Sequence, residues 1–178
     1  IIKMNLPNIL SFSRILFIVP VIFLFEYELY LSSLVAFLVA AITDYLDGYF
    51  ARKNNLSSDN GALLDLLADK IFISTLLIWI SHNFDNIFIL ISAILIISRE
   101  ISISYLRIFI INLSKKVVDV KSDFTGKLKT TFQMIGIGFI LITPITSSLI
   151  FNLSVALIFF SALISWYSFI KYLNKWIV

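Results

Sequence analysis

Residues 43–70 read TDYLDGYFARKNNLSSDNGALLDLLADK, a polar turn between two apolar arms that each carry a pair of aspartates. Asp44 and Asp47 stand three apart and Asp65 and Asp69 four apart, so on helices each pair shares one face. The turn between the arms is short, which predicts antiparallel neighbouring helices whose acidic faces converge. Asp44 lies eight residues before Arg52, so at 1.5 Å per residue it sits about 12 Å inside the helix end. That depth matters because of what surrounds the stretch.

On either side the chain is apolar throughout: 60% of its 178 residues are hydrophobic, 14% are charged, and the mean hydropathy is +0.98. This is far from soluble-protein usage, and it makes lipid the solvent to reason with. Apolar runs recur at 9–25, 31–50, 62–80, 87–111, 128–143 and 149–170, predicting six membrane-spanning helices in one domain over residues 1–178. Pro7 with Asn8, Ser57 to Asn60, and Pro144 with Thr146 mark helix ends. The first run has no small-residue cleavage site after it, which favours a retained helix over a removed signal peptide. With no cysteine, disulfides, thiolate metal sites and cysteine nucleophiles are excluded.

Orientation follows from the positive charges. Lys3 and Arg14 mark the N-terminus, Arg52 and Lys53 the second connection, Lys115, Lys116, Lys121, Lys127 and Lys129 the fourth, and Lys171 and Lys175 the tail. The first, third and fifth connections contain no Lys or Arg. Both termini are therefore expected in the cytoplasm, with the aspartate pocket opening there, and no nucleic-acid partner is expected.

Four carboxylates held close together stay ionised only if something cancels their repulsion, and hard oxygen donors select Mg²⁺ or Mn²⁺. Two ions sharing a central carboxylate would leave positions for phosphate oxygens, as pyrophosphate cleavage requires. Gly48 and Gly61 would let a ligand approach the backbone, and Arg52 can complement phosphate charge. Two other readings use the same residues: internal ion pairs with Lys70, Arg99 or Arg52, and a divalent-cation carrier. The second gives no role to Gly48, Ala51, Arg52 or Gly61, and no carboxylate path continues outward beyond Asp69.

Written as spacing, the stretch is D-x2-D-G-x2-A-R-x8-G-x3-D-x3-D, and it resembles the signature of the CDP-alcohol phosphotransferases. With roughly one in twenty per fixed position, eight fixed residues match by chance about once in 10¹⁰ trials. The resemblance implies the family's six-helix membrane fold, found as a homodimer. It implies that Asp44, Asp47, Asp65 and Asp69 bind the metals, that Asp69 also serves as base, and that Gly48, Ala51, Arg52 and Gly61 line the CDP site. The implied chemistry is attack by an alcohol hydroxyl on the lipid-side phosphorus of CDP-diacylglycerol, with CMP leaving.

The acceptor is read from cations outside the signature. Arg99 and Arg107 are eight apart on the fourth run, and Lys127 and Lys129 open the fifth. A cationic pocket beside a metal site suits an acceptor that carries its own phosphate and repels choline or ethanolamine. The competing readings are headgroup anchoring for Lys127 and Lys129, and for Arg99 an ion pair with Glu100 or an aspartate. LPNILSFSR, SREISISYLR and GKLKTTFQMIGI resemble, within the family, the bacterial phosphatidylglycerophosphate synthases. That implies glycerol 3-phosphate as acceptor, Asn8 and Arg14 toward the nucleotide side, and an inner-membrane location among membrane lipids. Phosphatidylglycerol, serine or an inositol phosphate are the alternative acceptors. Leu66 departs from the pattern, standing where proline is expected, and the loop from Lys115 to Asp123 is unusually charged.

The remaining features read as structure. Phe159, Phe160, Trp166 and Tyr167 are expected at lipid or the interface, Gly136 and Gly138 at close helix contacts, and His82 as a lone outer-turn residue without a zinc partner.

Overall fold

The computed structural model describes the backbone over residues 6–53, 59–114 and 124–177, and side chains over 11–43, 67–106 and 128–174. Among the described residues it holds six α-helices: α1 (Leu6–Glu26), α2 (Tyr30–Lys53), α3 (Asp59–Asn83), α4 (Ile87–Ser114), α5 (Phe124–Ile142) and α6 (Ser148–Ile177). They match the six apolar runs, each reaching a few residues into the polar flanks. Pro7 falls in the first turn of α1, where its missing N–H has no helical partner to lose, and Pro144 sits in a 3-10 turn, Thr143–Ile145, that closes α5.

Helix ends are set by local hydrogen bonds. After α1, Leu29 N–H donates to Leu24 O and Glu28 N–H to Phe25 O, with Glu28 at φ 61°. This is the left-handed C-terminal cap usually filled by glycine, here held by a glutamate that faces water. Asn86 caps α4, its Oδ1 accepting from the N–H groups of Phe88 and Ile89.

Packing runs in a closed ring, α1 to α2 to α5 to α6 to α4 to α3 and back to α1. Its centre is filled by fully buried Phe37, Phe72, Leu76, Leu77, Ile96, Ile137, Ile140, Leu141 and Ile158. The outside is apolar as well. Phe12, Leu16, Val19 and Phe23 on α1, and Leu149, Leu153, Phe160, Leu163 and Tyr167 on α6, are exposed at helical spacing. Helices apolar on all sides belong in hydrocarbon. Among the described residues, 87–106, 128–145 and 148–174 are long and apolar enough to cross a membrane.

The expected pairing of α2 with α3 around their connection falls largely on residues 44–66, whose side chains lie outside the described residues. Each of the two helices packs chiefly on α1, and they meet through the stacked rings of Phe37 and Phe72, 5.8 Å apart. Two polar ties fix α1 between them. The buried Ser33 hydroxyl on α2 donates to Val21 O at 2.7 Å, and Glu26 Oε1 accepts from Asn83 Nδ2 at 2.8 Å and Trp79 Nε1 at 3.0 Å on α3. The hydrogen bonds from Asn83 and then Trp79 hold the Glu26 carboxyl below the usual carboxylate range.

The two glycines of α5 are not equivalent. A Cβ on Gly136 would lie 2.6 Å from Ile158 Cγ1 and 3.2 Å from Ser154 O, whereas one on Gly138 would make ordinary contacts with Leu34 and Phe37. Gly136→Ala should therefore destabilise the α5–α6 contact by about 1–3 kcal/mol. Gly138→Ala should be neutral, or stabilising by up to about 1 kcal/mol through helix propensity. Thermal midpoints in detergent check this, and equal midpoints for the two variants would contradict it.

Candidate functional site

Asp69 is the one signature aspartate whose side chain is described, and helix geometry sets its direction. At 100° per residue it points about 60° from Phe72, which faces α2, and about 100° to the other side toward Lys70, which faces α4. It is half-buried, and its charge reaches the Lys129 ammonium on α5. The side chains of Asp44, Asp47, Asp65, Gly48, Ala51, Arg52, Gly61, Asn8, Arg107 and Lys127 lie outside the described residues. All of these positions fall within helices: Asn8 in α1, residues 44–52 in α2, 61 and 65 in α3, 107 in α4 and 127 in α5. Three grouped metal-ligating side chains do not occur among the described residues.

The ring stack gives the register of these positions. Position 44 lies seven residues, two turns, beyond Phe37 on α2, and position 65 lies seven residues before Phe72 on α3. Both positions are displaced about 10 Å along their helices from the stack, toward the α2–α3 connection. The Glu26 ties put α1 in the same frame. Arg14, twelve residues before Glu26, is level with residues 67 to 71, which lie twelve before Trp79 and Asn83.

Arg14 corrects an expectation. Counted as a cytoplasmic end marker, it is instead fully buried at the level of Asp69, with Ser11 buried one turn before it. A buried charge persists only when other polar groups meet it, and burial at this level is compatible with the expected place of Arg14 toward the nucleotide side. Hydropathy missed this because one Arg near the end of an apolar run reads as an anchor whichever way it points.

The cations proposed for the acceptor are gathered by a residue not singled out for the site. Glu100 Oε1 accepts from Arg99 Nη1 at 2.6 Å and from Lys129 Nζ at 2.5 Å, and Oε2 lies 3.6 Å from Lys70 Nζ. Lys70 also donates to Glu100 O at 3.2 Å and to the Ser104 hydroxyl, which itself donates to Glu100 O. Arg99 and Lys129 are thus brought together, and Lys129 is mostly buried in an ion pair, not spread at the headgroups. The ion-pair reading for Arg99 is realised by Glu100.

Helix α6 closes the far side. Ser161 Oγ donates to Lys129 O at 3.0 Å, and Trp166 Nε1 donates to Leu95 O at 2.9 Å, one turn before Arg99. Trp166, expected at the interface, is therefore a tie between α4 and α6.

A family model described as CDP-alcohol phosphatidyltransferase matches residues 4–167. A protein of Salmonella choleraesuis (strain SC-B67) named CDP-diacylglycerol–glycerol-3-phosphate 3-phosphatidyltransferase is 33% identical over 176 residues, covering 97% of this chain and 94% of its own. Proteins of the same name from Shigella flexneri and Escherichia coli (strain K12) are each 31% identical over 175 residues, with the same coverage.

Lys70 ties α3 to α4 at the residue next to Asp69. Lys70→Met keeps the aliphatic stem and removes the donor, so it should cost about 1–3 kcal/mol of stability, read as a lower thermal midpoint in detergent. An unchanged midpoint would show that the tie contributes nothing.

Proposed function

The chain belongs to the CDP-alcohol phosphatidyltransferase family, whose members are in general divalent-metal dependent, and we propose that it transfers the phosphatidyl group of CDP-diacylglycerol to sn-glycerol 3-phosphate. The products are phosphatidylglycerophosphate and CMP. A hydroxyl oxygen of the acceptor bonds to the lipid-side phosphorus, the bond from that phosphorus to the CMP oxygen breaks, and the hydroxyl proton passes to Asp69. The printed names of the relatives supply the substrates. The observation that carries the acceptor is the convergence of Arg99, Lys129 and Lys70 within reach of Asp69, because a neutral or cationic alcohol has no use for three ammonium or guanidinium groups.

In this reading Asp44, Asp47, Asp65 and Asp69 hold two ions of Mg²⁺ or Mn²⁺. The oxygen-only donor set fits such ions, and the matched two-turn displacement of positions 44 and 65 from the Phe37–Phe72 stack supports a shared site. Bound there, the ions would neutralise charge on the pyrophosphate and on the departing CMP. Gly48, Ala51, Arg52, Gly61 and Asn8 line the nucleotide side. Arg99, Arg107, Lys127 and Lys129 receive the acceptor's phosphate.

The same reading makes residues 1–178 one catalytic domain of six spans with both termini cytoplasmic, working as a homodimer in a bacterial inner membrane. Helices of 19 to 30 residues reach the roughly 30 Å of a hydrocarbon core, and the Lys and Arg residues of the second and fourth connections support a cytoplasmic site.

Purified protein offered CDP-diacylglycerol and each candidate acceptor should release CMP with glycerol 3-phosphate, and release with neutral acceptors alone would overturn the assignment. Asp69→Asn should lower turnover by about 10³-fold or more while CDP-diacylglycerol binding largely survives. Arg107→Ala should raise the KM for the acceptor and leave that for CDP-diacylglycerol near its original value. Equal losses for both substrates would remove Arg107 from the acceptor site.

A further inference from the structure

Glu100 is a mostly buried carboxylate that the transfer reaction does not use, yet it is bound to every described cation of the acceptor region. Its contacts come from three helices: Lys70 on α3, Arg99 on α4 beside it, and Lys129 on α5. Each of these side chains is less than a fifth exposed. Arg99 and Lys129 share one oxygen, Oε1, so their charges are held close in a medium of low dielectric. Without the carboxylate they would repel and separate.

Donor capacity is left over around this cluster. Among the described residues, Arg99 Nε, Gln133 Nε2 and Ser165 Oγ are buried without a hydrogen-bond partner. Gln133 is one turn beyond Lys129 on α5. Ser165 is one turn beyond Ser161, which bonds to Lys129 O, and is next to Trp166, which bonds to Leu95 O one turn before Arg99. Of these, Arg99 Nε belongs to the cluster itself, whereas Gln133 and Ser165 lie about a turn from the Lys129–Ser161 contact in opposite directions along the antiparallel α5 and α6. Native interiors leave few buried donors without an acceptor, and a ligand oxygen beside Arg99 would supply one for its Nε–H. Lys70, Arg99 and Lys129 outnumber the one carboxylate that pairs them, so the cluster suits an anionic ligand such as a phosphate monoester.

We propose that Glu100 is a positioning residue for the acceptor: by pairing Lys70, Arg99 and Lys129 from three helices, it fixes where the acceptor's phosphate is received relative to Asp69. The proposal rests on the phosphatidyl-transfer reading and names what sets the geometry of its acceptor site. The phosphate binds beside Glu100, taking the unused Arg99 Nε–H and the remaining ammonium hydrogens of Lys129, and does not replace the carboxylate.

The test is steady-state kinetics of the full-length protein in detergent, for the unmodified chain, Glu100→Gln, Lys129→Met and the double variant. Glu100→Gln should raise the glycerol 3-phosphate KM by about tenfold or more while the CDP-diacylglycerol KM stays within about twofold. In the double variant the acceptor KM should rise by clearly less than the product of the two single effects, because part of the action of Glu100 passes through Lys129. An unchanged acceptor KM, a parallel rise of both KM values, or independent multiplication of the two effects would each overturn the proposal. If Glu100→Gln does not fold, Glu100→Asp keeps the charge and shortens the reach. A folded Glu100→Asp with an unaltered acceptor KM would overturn it too. Absence of CMP release by the unmodified chain defeats the transfer reading itself, whereas an active chain indifferent to Glu100 defeats only this step.

Discussion

Charge inside an apolar helix bundle must be met by charge, and this constraint organises the half of the ring that holds Glu100. Moving an ion out of water costs several kcal/mol even after the protein relaxes, so each buried cation needs a carboxylate or a ligand. Glu100 meets that need for Lys70, Arg99 and Lys129 at once, joining α3, α4 and α5 at a single carboxylate. Dispersion packing alone discriminates weakly between helix rotations, because lipid tails are as apolar as the side chains they replace. Polar ties therefore fix the rotations, and apolar contacts fill the space between them.

The outer half obeys the same logic with weaker groups. Ser33 to Val21 O, and Trp79 and Asn83 to Glu26, lock α1 against α2 and α3, with aromatic rings of Phe25, Tyr30, Trp79 and Phe84 gathered around Phe25. Because α1 sits between α2 and α3, an error in its register would shift the two aspartate-bearing helices relative to each other. The outer ties are thus part of how the inner positions are set.

What could be read from sequence was what depends on period and composition. The helix count and the helix positions follow from spacing, and the helices formed where the apolar runs lie. The ring order was not legible. Helices apolar on every side give no sign of which face meets which neighbour, so the packing of α1 on both α2 and α3 could not be read from spacing. The Arg99 cation was legible as a buried charge in need of a partner, but Glu100, its immediate neighbour in sequence, gave no sign of also drawing in residues 30 positions before and 29 after. Gly136 and Gly138 looked alike for a related reason: the close approach of α6 at Ser154 and Ile158 separates them.

Asp69 and Lys70 show how the two halves of the site are joined. Adjacent residues on a helix point about 100° apart, so the ammonium anchored on α4 fixes where the neighbouring carboxylate points. On the other side, Phe72 against Phe37 limits rotation of α3 toward α2. A rotation large enough to move Asp69 away from Lys129 would have to break the Lys70 contacts or unstack the two rings. The carboxylate is therefore held by opposing restraints on either side of it. The base proposed at this position would have to stay within hydrogen-bond reach of a hydroxyl, and opposing restraints of this kind are what such a role asks of its mounting.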